Sequence, residues 1–164
     1  AIANALTPDD QTVHFAQPKP AIEEHSRPVV VGVDGSQASR RAFEFALDDA
    51  QLHGVPLNVM FCWQLRDLGV IPGYENAVAP VEAGQQRAEA ILAKMMSEVD
   101  IPEGIKVSTN AFHIPASKGL IAASRYARHL VVGSRGLSGL DAHFLGSVSR
   151  QIVNFAECNV TVVH

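Results

Sequence analysis

The sequence predicts a single α/β domain, an open five-stranded parallel sheet with helices on both faces. Three observations carry that expectation. Short, β-branched apolar runs recur along the chain. Segments with apolar residues at helical spacing lie between them. Turn residues stand at the junctions. Such a βαβαβαβαβ order requires parallel pairing and right-handed crossovers. The length of 164 residues fits one domain.

The elements follow in order. Val29-Val30-Val31-Gly32-Val33-Asp34 reads as a buried strand ending in turn residues. Ser36 is placed to cap the helix behind it. Ala42, Phe43, Ala46, Leu47 and Ala50 give that helix one apolar face, and Gly54 closes it. Leu57 to Trp63 is the second strand. Gln64 to Ala77, with Gly69, Pro72 and Gly73, reads as a long loop and a candidate ligand-responsive lid. Ala88, Ile91, Leu92, Met95 and Val99 mark the second helix. Ile105 to Phe112 alternates apolar and polar residues, as a sheet edge does. Pro115 starts a third helix that runs through Leu120, Ile121, Ser124 and Ala127. Leu130 to Gly133 is the fourth strand. Leu145 to Ala156 is the fourth helix, with Val148, Ile152 and Phe155 on one face, and Val160 to Val163 is the fifth strand. Residues 1–28 hold Pro8, Pro18, Pro20 and Pro28, no glycine and no apolar period. They read as an extended or flexible arm, with the folded domain over 29–164.

Composition narrows the function. Hydrophobic residues are 47% and charged residues 18%, and the net charge is −4. With no basic excess or cluster, binding of nucleic acid through its phosphates is not expected. No apolar run reaches the length of a membrane span. The opening AIANALTPDD lacks the pattern of a signal peptide. Cys62 and Cys158 are far apart, without CxxC spacing. That excludes a cysteine zinc site and suits a reducing compartment, so a cytoplasmic location is expected. None of the 7 histidines forms an HxxxH or HxH pair, and no metal site is expected.

In an open parallel sheet, ligands sit beyond the carboxyl ends of the strands, at the point where the strand order reverses. Two segments with the right chemistry fall there. The fourth strand ends in Gly133-Ser134-Arg135-Gly136, and Gly146-Ser147-Val148 opens the fourth helix, giving the spacing G-x2-G-x9-G-S. Gly133 and Gly136 admit a close backbone approach to an anion. Gly146 and Ser147 lie at a helix N-terminus, where unpaired N–H groups and the helix dipole favour negative charge. Arg135 is placed to pair with a phosphate oxygen. Two such elements suit a polyphosphate chain, although the same cradle also accommodates one cyclic phosphate. The first strand ends in Val33-Asp34-Gly35-Ser36, and Asp34 at its tip can accept hydrogen bonds from a ribose or base, or else order the turn. Signatures of catalysis are missing: there is no GxxxxGK-type loop, no GxGxxG and no GxSxG elbow. A binding protein rather than an enzyme is expected, with slow ATP hydrolysis at most a side activity.

VVVGVDGS, HLVVGSRGLSGL, LGSVSRQIV and CNVTVVH together resemble the universal stress protein family over roughly residues 28–164. The G-x2-G-x9-G-S spacing is similar to that of its ATP-binding branch. The resemblance implies the fold of the adenine nucleotide alpha hydrolase-like class, with strand order 3-2-1-4-5, and a regulatory, stress-response role dependent on bound ATP. Magnesium would be carried by the phosphates. It implies phosphate contacts at Gly133, Ser134, Arg135, Gly136, Gly146, Ser147 and Val148. Asp34, Val33 and Ser36 would lie on the ribose and adenine side, and Trp63 would occupy the adenine-reading position after the second strand. Dimerisation would run through the fifth strand, at Val160 and Val162. The alternatives are a cyclic AMP-binding member and a dimeric interaction module with an altered pocket.

This chain departs from the family pattern at several places. His113-Ile114-Pro115-Ala116 stands where G-x-P-A is usual, so His113 is expected to narrow the pocket or touch the ligand. Trp63 is bulkier than the usual Val, and its ring is expected to stack on adenine, block it or pack in the core. Arg128-His129 replaces Ala-Asp, which reads as a surface change, and Asn159 replaces a common Pro.

Overall fold

The computed structural model describes residues 26–135 and 145–164. The elements are β1 (Val29–Gly32), α1 (Gln37–His53), β2 (Leu57–Trp63), α2 (Val81–Ser97), β3 (Val107–His113), α3 (Ala116–Ala123), β4 (His129–Gly133), α4 (Ser147–Phe155) and β5 (Asn159–Val163). One sheet of order β3-β2-β1-β4-β5 contains all five strands. Every pairing is parallel, and β1 sits between β2 and β4, with Val29 opposite both Leu57 and His129. Of the proposed arm, only residues 26–28 are described. Pro28 already belongs to the fold, because its carbonyl accepts from Arg128 N at 2.9 Å.

Burial explains why these residues form these strands. All four residues of β1 are buried, so the run is apolar on both faces. Val29 and Val31 pack with Phe43, Ala46, Leu47, Ala88 and Leu92 from α1 and α2. Val30 packs on the other face with Leu120, Ala123 and Ile152 from α3 and α4. Full burial of each such side chain is worth about 1.5–3 kcal/mol. Ser36 caps α1, its Oγ accepting from Ser39 N at 3.1 Å. Gly54 ends α1 in the left-handed region, at φ 63°.

Several details differ from the sequence reading. Helix α2 starts at Val81, well before Ala88. Its first turns pack through Gly84, which has no side chain to register in the apolar period and lies against the Trp63 ring. Helix α3 stops at Ala123, and Arg125 N and Tyr126 N donate in tight turns to Ala122 O and Ala123 O. Phe155 is 65% exposed although it shares a face with the buried Ile152. His129 is no surface change. Its side chain is mostly buried, with Nδ1 at 2.8 Å from Asp49 Oδ2 on α1 and Nε2 at 2.7 Å from Thr161 Oγ1 on β5. Arg41 Nε adds a second tie, donating to His164 O at 3.0 Å.

Gly133 has a packing reason. A Cβ there would lie 3.0 Å from the Ala38 carbonyl carbon and 3.1 Å from its oxygen, both backbone atoms of α1. Gly133→Ala is therefore expected to destabilise the fold by about 1–3 kcal/mol, through overpacking against the backbone of α1. A urea unfolding midpoint equal to that of the unmodified chain would refute this.

Candidate functional site

A cleft of ≈ 690 Å³ opens at the carboxyl ends of β1, β2 and β4. Its floor is apolar, formed by Met60, Cys62, Leu120 and Val132. Its rim is polar and comes from four places. Val33 and Asp34 follow β1; Gln64, Arg66, Asp67 and Gly69 follow β2; Gly133 and Arg135 follow β4; and Gly146, Ser147, Val148 and Ser149 begin α4. Pro115, Ala116 and Ser117, at the start of α3, complete the wall. An apolar floor under convergent polar groups is the usual make-up of a small-molecule site.

Local hydrogen bonds hold the rim. Val33 N donates to Met60 O at 2.9 Å, which extends the β1–β2 pairing by a residue. Asp34 Oδ1 accepts from Ser36 N at 2.9 Å, and Asp34 N donates to Ser39 Oγ at 3.3 Å. Gly35, at φ 85°, takes the backbone conformation this turn needs. Asp34 thus orders the turn and still lies in the cleft wall. On the other side, Ser134 N donates to Val163 O at 2.7 Å, and Ser134 O accepts from Gly146 N at 2.9 Å. Ser149 Oγ donates to Gly133 O at 2.8 Å. These bonds bring Arg135 and the start of α4 together.

The first turn of α4 then faces the cleft. Arg150 N donates to Gly146 O, the first bond of the helix. The N–H groups of Ser147, Val148 and Ser149 precede it and have no carbonyl within the helix to pair with. The dipole at this end favours an anion. The N–H of Gly146 itself is used by Ser134 O, so the donors available to a ligand begin one residue later than the glycine. A Cβ on Gly146 would make only an ordinary contact, 3.5 Å from Ser134 O.

The structure sorts the expected site residues. Val33, Asp34, Gly133, Arg135, Gly146, Ser147 and Val148 meet in the cleft wall. Three others lie elsewhere. Ser36 caps α1. Ser134 is buried, with both backbone polar groups engaged. Trp63 is fully buried, donates from Nε1 to Gln85 Oε1 at 2.9 Å, and stacks on His113 at 4.4 Å. Neither ring is among the residues that line the cleft, and the Trp63 ring packs in the core. Gly136 lies outside the described residues, as does His143. Gln64, Arg66 and Asp67 entered the sequence reading only as part of the candidate lid Gln64 to Ala77, and the apolar floor was missing from it. The one available signal was the loop after the second strand, which lies at a strand end.

Among the described residues no group of three or more His, Cys, Asp or Glu could hold a metal ion. No described helix is long and apolar enough to cross a membrane. Burial pushes the Cys62 thiol up to about 11, which keeps it protonated and unreactive at neutral pH.

An open parallel sheet with helices on both faces and a cleft at its reversal point defines the class: a doubly wound α/β domain. The family is set by comparison. The model of the universal stress protein family matches residues 25–164, and the chain belongs to that family. Universal stress protein Rv1996 of Mycobacterium tuberculosis is 35% identical over 150 residues, covering 89% of this chain and 46% of that protein. The chain spans about half the length of the curated relatives it matches. Among solved structures, a universal stress protein in complex with cAMP aligns with TM-score 0.54 and 23% identity, covering 85% of this chain and 97% of the other. The Archaeoglobus fulgidus universal stress protein in complex with dAMP aligns with TM-score 0.50 and 22% identity, covering 84% of this chain and 97% of the other. At these identities the likeness shows the fold.

The position of Cys62 in the cleft floor yields a measurable expectation. Its raised folded pKa contributes stability that is present below the ordinary value of 9.0 and lost as pH rises through about 11. Cys62→Ser should flatten the decline in stability between these pH values. Iodoacetamide at pH 8 should label native Cys62 at least about tenfold more slowly than the urea-unfolded chain. Equal labelling rates, read by mass spectrometry, would contradict the burial.

Proposed function

We propose that this domain binds an adenine nucleotide, ATP in the first instance, and acts as a nucleotide-dependent regulatory protein in stress response rather than as an enzyme. One observation carries the reading. A single cleft joins an apolar floor, suited to a flat base, to a rim where Arg135 and the open first turn of α4 converge. Base, ribose and phosphates need those surfaces in that sequence. Asp34, in the rim after β1, would meet the ribose. Magnesium, where present, would be carried by the phosphates. The dAMP and cAMP complexes of similarly folded proteins support an adenine ligand.

Cyclic AMP is the second reading, favoured by the fold shared with the cAMP complex. A dimeric interaction module with an altered pocket is the third reading, and an unmodified protein that binds no adenine nucleotide would favour it. We also propose a cytoplasmic protein that pairs with a second copy along β5. That strand is bonded to β4 on one side only, and Val160 and Val162 are partly buried along it.

Gly146→Val tests the binding site with little change to the fold. The backbone at Gly146, φ −59° and ψ 158°, accepts a side chain, and the altered N-cap costs about 1 kcal/mol. The unmodified protein is expected to release a near-stoichiometric adenine nucleotide on denaturation, or to titrate with ATP. Gly146→Val is expected to do neither while keeping its native circular dichroism. An unmodified protein that binds neither ATP nor cyclic AMP would overturn the proposal.

A further inference from the structure

We infer that the groove between α3 and α4 is a docking site for this chain's own residues 1–25. The groove has a volume of ≈ 400 Å³. Lys118, Ile121, Ala122 and Arg125 line one side of it, and Gln151 and Phe155 of α4 line the other. The first four recur at helical spacing, so the apolar pair is flanked by a cation at each end. Phe155 is 65% exposed here, an aromatic surface that a docked segment would bury. The charge around the groove is one-sided. Residues 116–135 and 145–156 hold five arginines and lysines and no acidic residue, in a chain of net charge −4. Arg125 approaches Glu157 at 3.4 Å, but the two side chains are 69% and 60% exposed. An ion pair so open to water is weak and leaves Arg125 available.

Residues 1–25 carry the complementary chemistry. Their acids are Asp9, Asp10, Glu23 and Glu24, against the single cation Lys19, and Val13 and Phe15 lie between the two acidic pairs. An acid–apolar–acid order in this segment matches the base–apolar–base order of the groove. The segment also joins the fold beside the groove. Pro28 O accepts from Arg128 N at 2.9 Å. Arg128 follows Arg125 by three residues, which is at most about 11 Å along the chain. Glu157 N donates to Ser124 Oγ at 2.9 Å, which draws the end of α4 to the end of α3 at this same place. Reach is not limiting. Helix α3 runs from Ala116 to Ala123, about 12 Å, and a chain of 25 residues spans several times that. Tethering raises the segment's effective concentration to the millimolar range, so weak contacts suffice to seat it.

The experiment is zero-length carbodiimide cross-linking of the full chain, mixed in equal parts with its 15N-labelled copy and read by peptide mass spectrometry. Links from Lys118 to Asp9, Asp10, Glu23 or Glu24 are expected within one copy. They should be at least about fivefold more frequent than links from Lys94 to the same acids, because the exposed Lys94 lies on α2, across the sheet from the groove. Phe155→Ser and Phe15→Ser should each cut the Lys118 links about threefold or more, through loss of apolar burial. Phe155→Ser should keep its native circular dichroism, since the side chain it removes is exposed. Absence of the Lys118 links, equal linking of Lys94, or indifference to both serine substitutions would overturn the inference. Links that join labelled to unlabelled copies, in preference to links within one copy, would give the groove to a second copy and overturn it as well.

Discussion

Parallel pairing on both sides of β1 is the constraint on which the rest of the molecule depends. The chain leaves β1 toward β2 and β3, then returns to lay β4 and β5 on the opposite flank. Right-handed crossovers in two opposite directions put α1 and α2 on one face and α3 and α4 on the other. The loops after β1 and β4 must then diverge, and a cleft opens between them. The turn at Asp34, the Ser134–Gly146 bond and the start of α4 all take their places from that divergence.

The motif glycines divide into different tasks once the packing is visible. Gly133 is favoured by the helix behind it, because a Cβ would press on the Ala38 backbone at 3.0–3.1 Å. Gly146 has room for one, and its N–H is engaged by Ser134 O. The N–H groups left without a helical partner are those of the residues after it. A spacing pattern therefore brings its members to one cleft without telling which of them the packing requires and which leave backbone groups open.

The strands were legible because a strand buried on both faces reads as an unbroken apolar run, and β1 and β2 are of that kind. Caps were legible because Ser36 and Gly54 each have one strong local preference. The start of α2 was hidden behind Gly84, whose contact with Trp63 leaves no trace in periodicity. Half of the cleft was hidden for a different reason. Met60, Cys62 and Leu120 serve both as core and as cleft floor, and an apolar side chain facing a ligand looks the same in sequence as one facing a helix. Gln64, Arg66 and Asp67 follow no period, and only the path of the chain brings them to the rim. His129 looked like surface because its partners, Asp49 and Thr161, are 80 and 32 residues away.

The ties between α1 and β5 have a consequence for the order in which the molecule assembles. His129 joins Asp49 to Thr161, and Arg41 reaches across 123 residues to His164 O. Contacts so distant along the chain close large loops, and the entropy of closure must be met before the bonds repay it. The Asp49–His129 and Arg41–His164 bonds therefore depend on the equally distant β1–β4 pairing, which brings these segments near. Without β5 the outer edge of β4 would have no strand beside it, and Ser134 N would lack its acceptor, Val163 O. The arrival of β5 thus completes the rim of the cleft as well as the edge of the sheet.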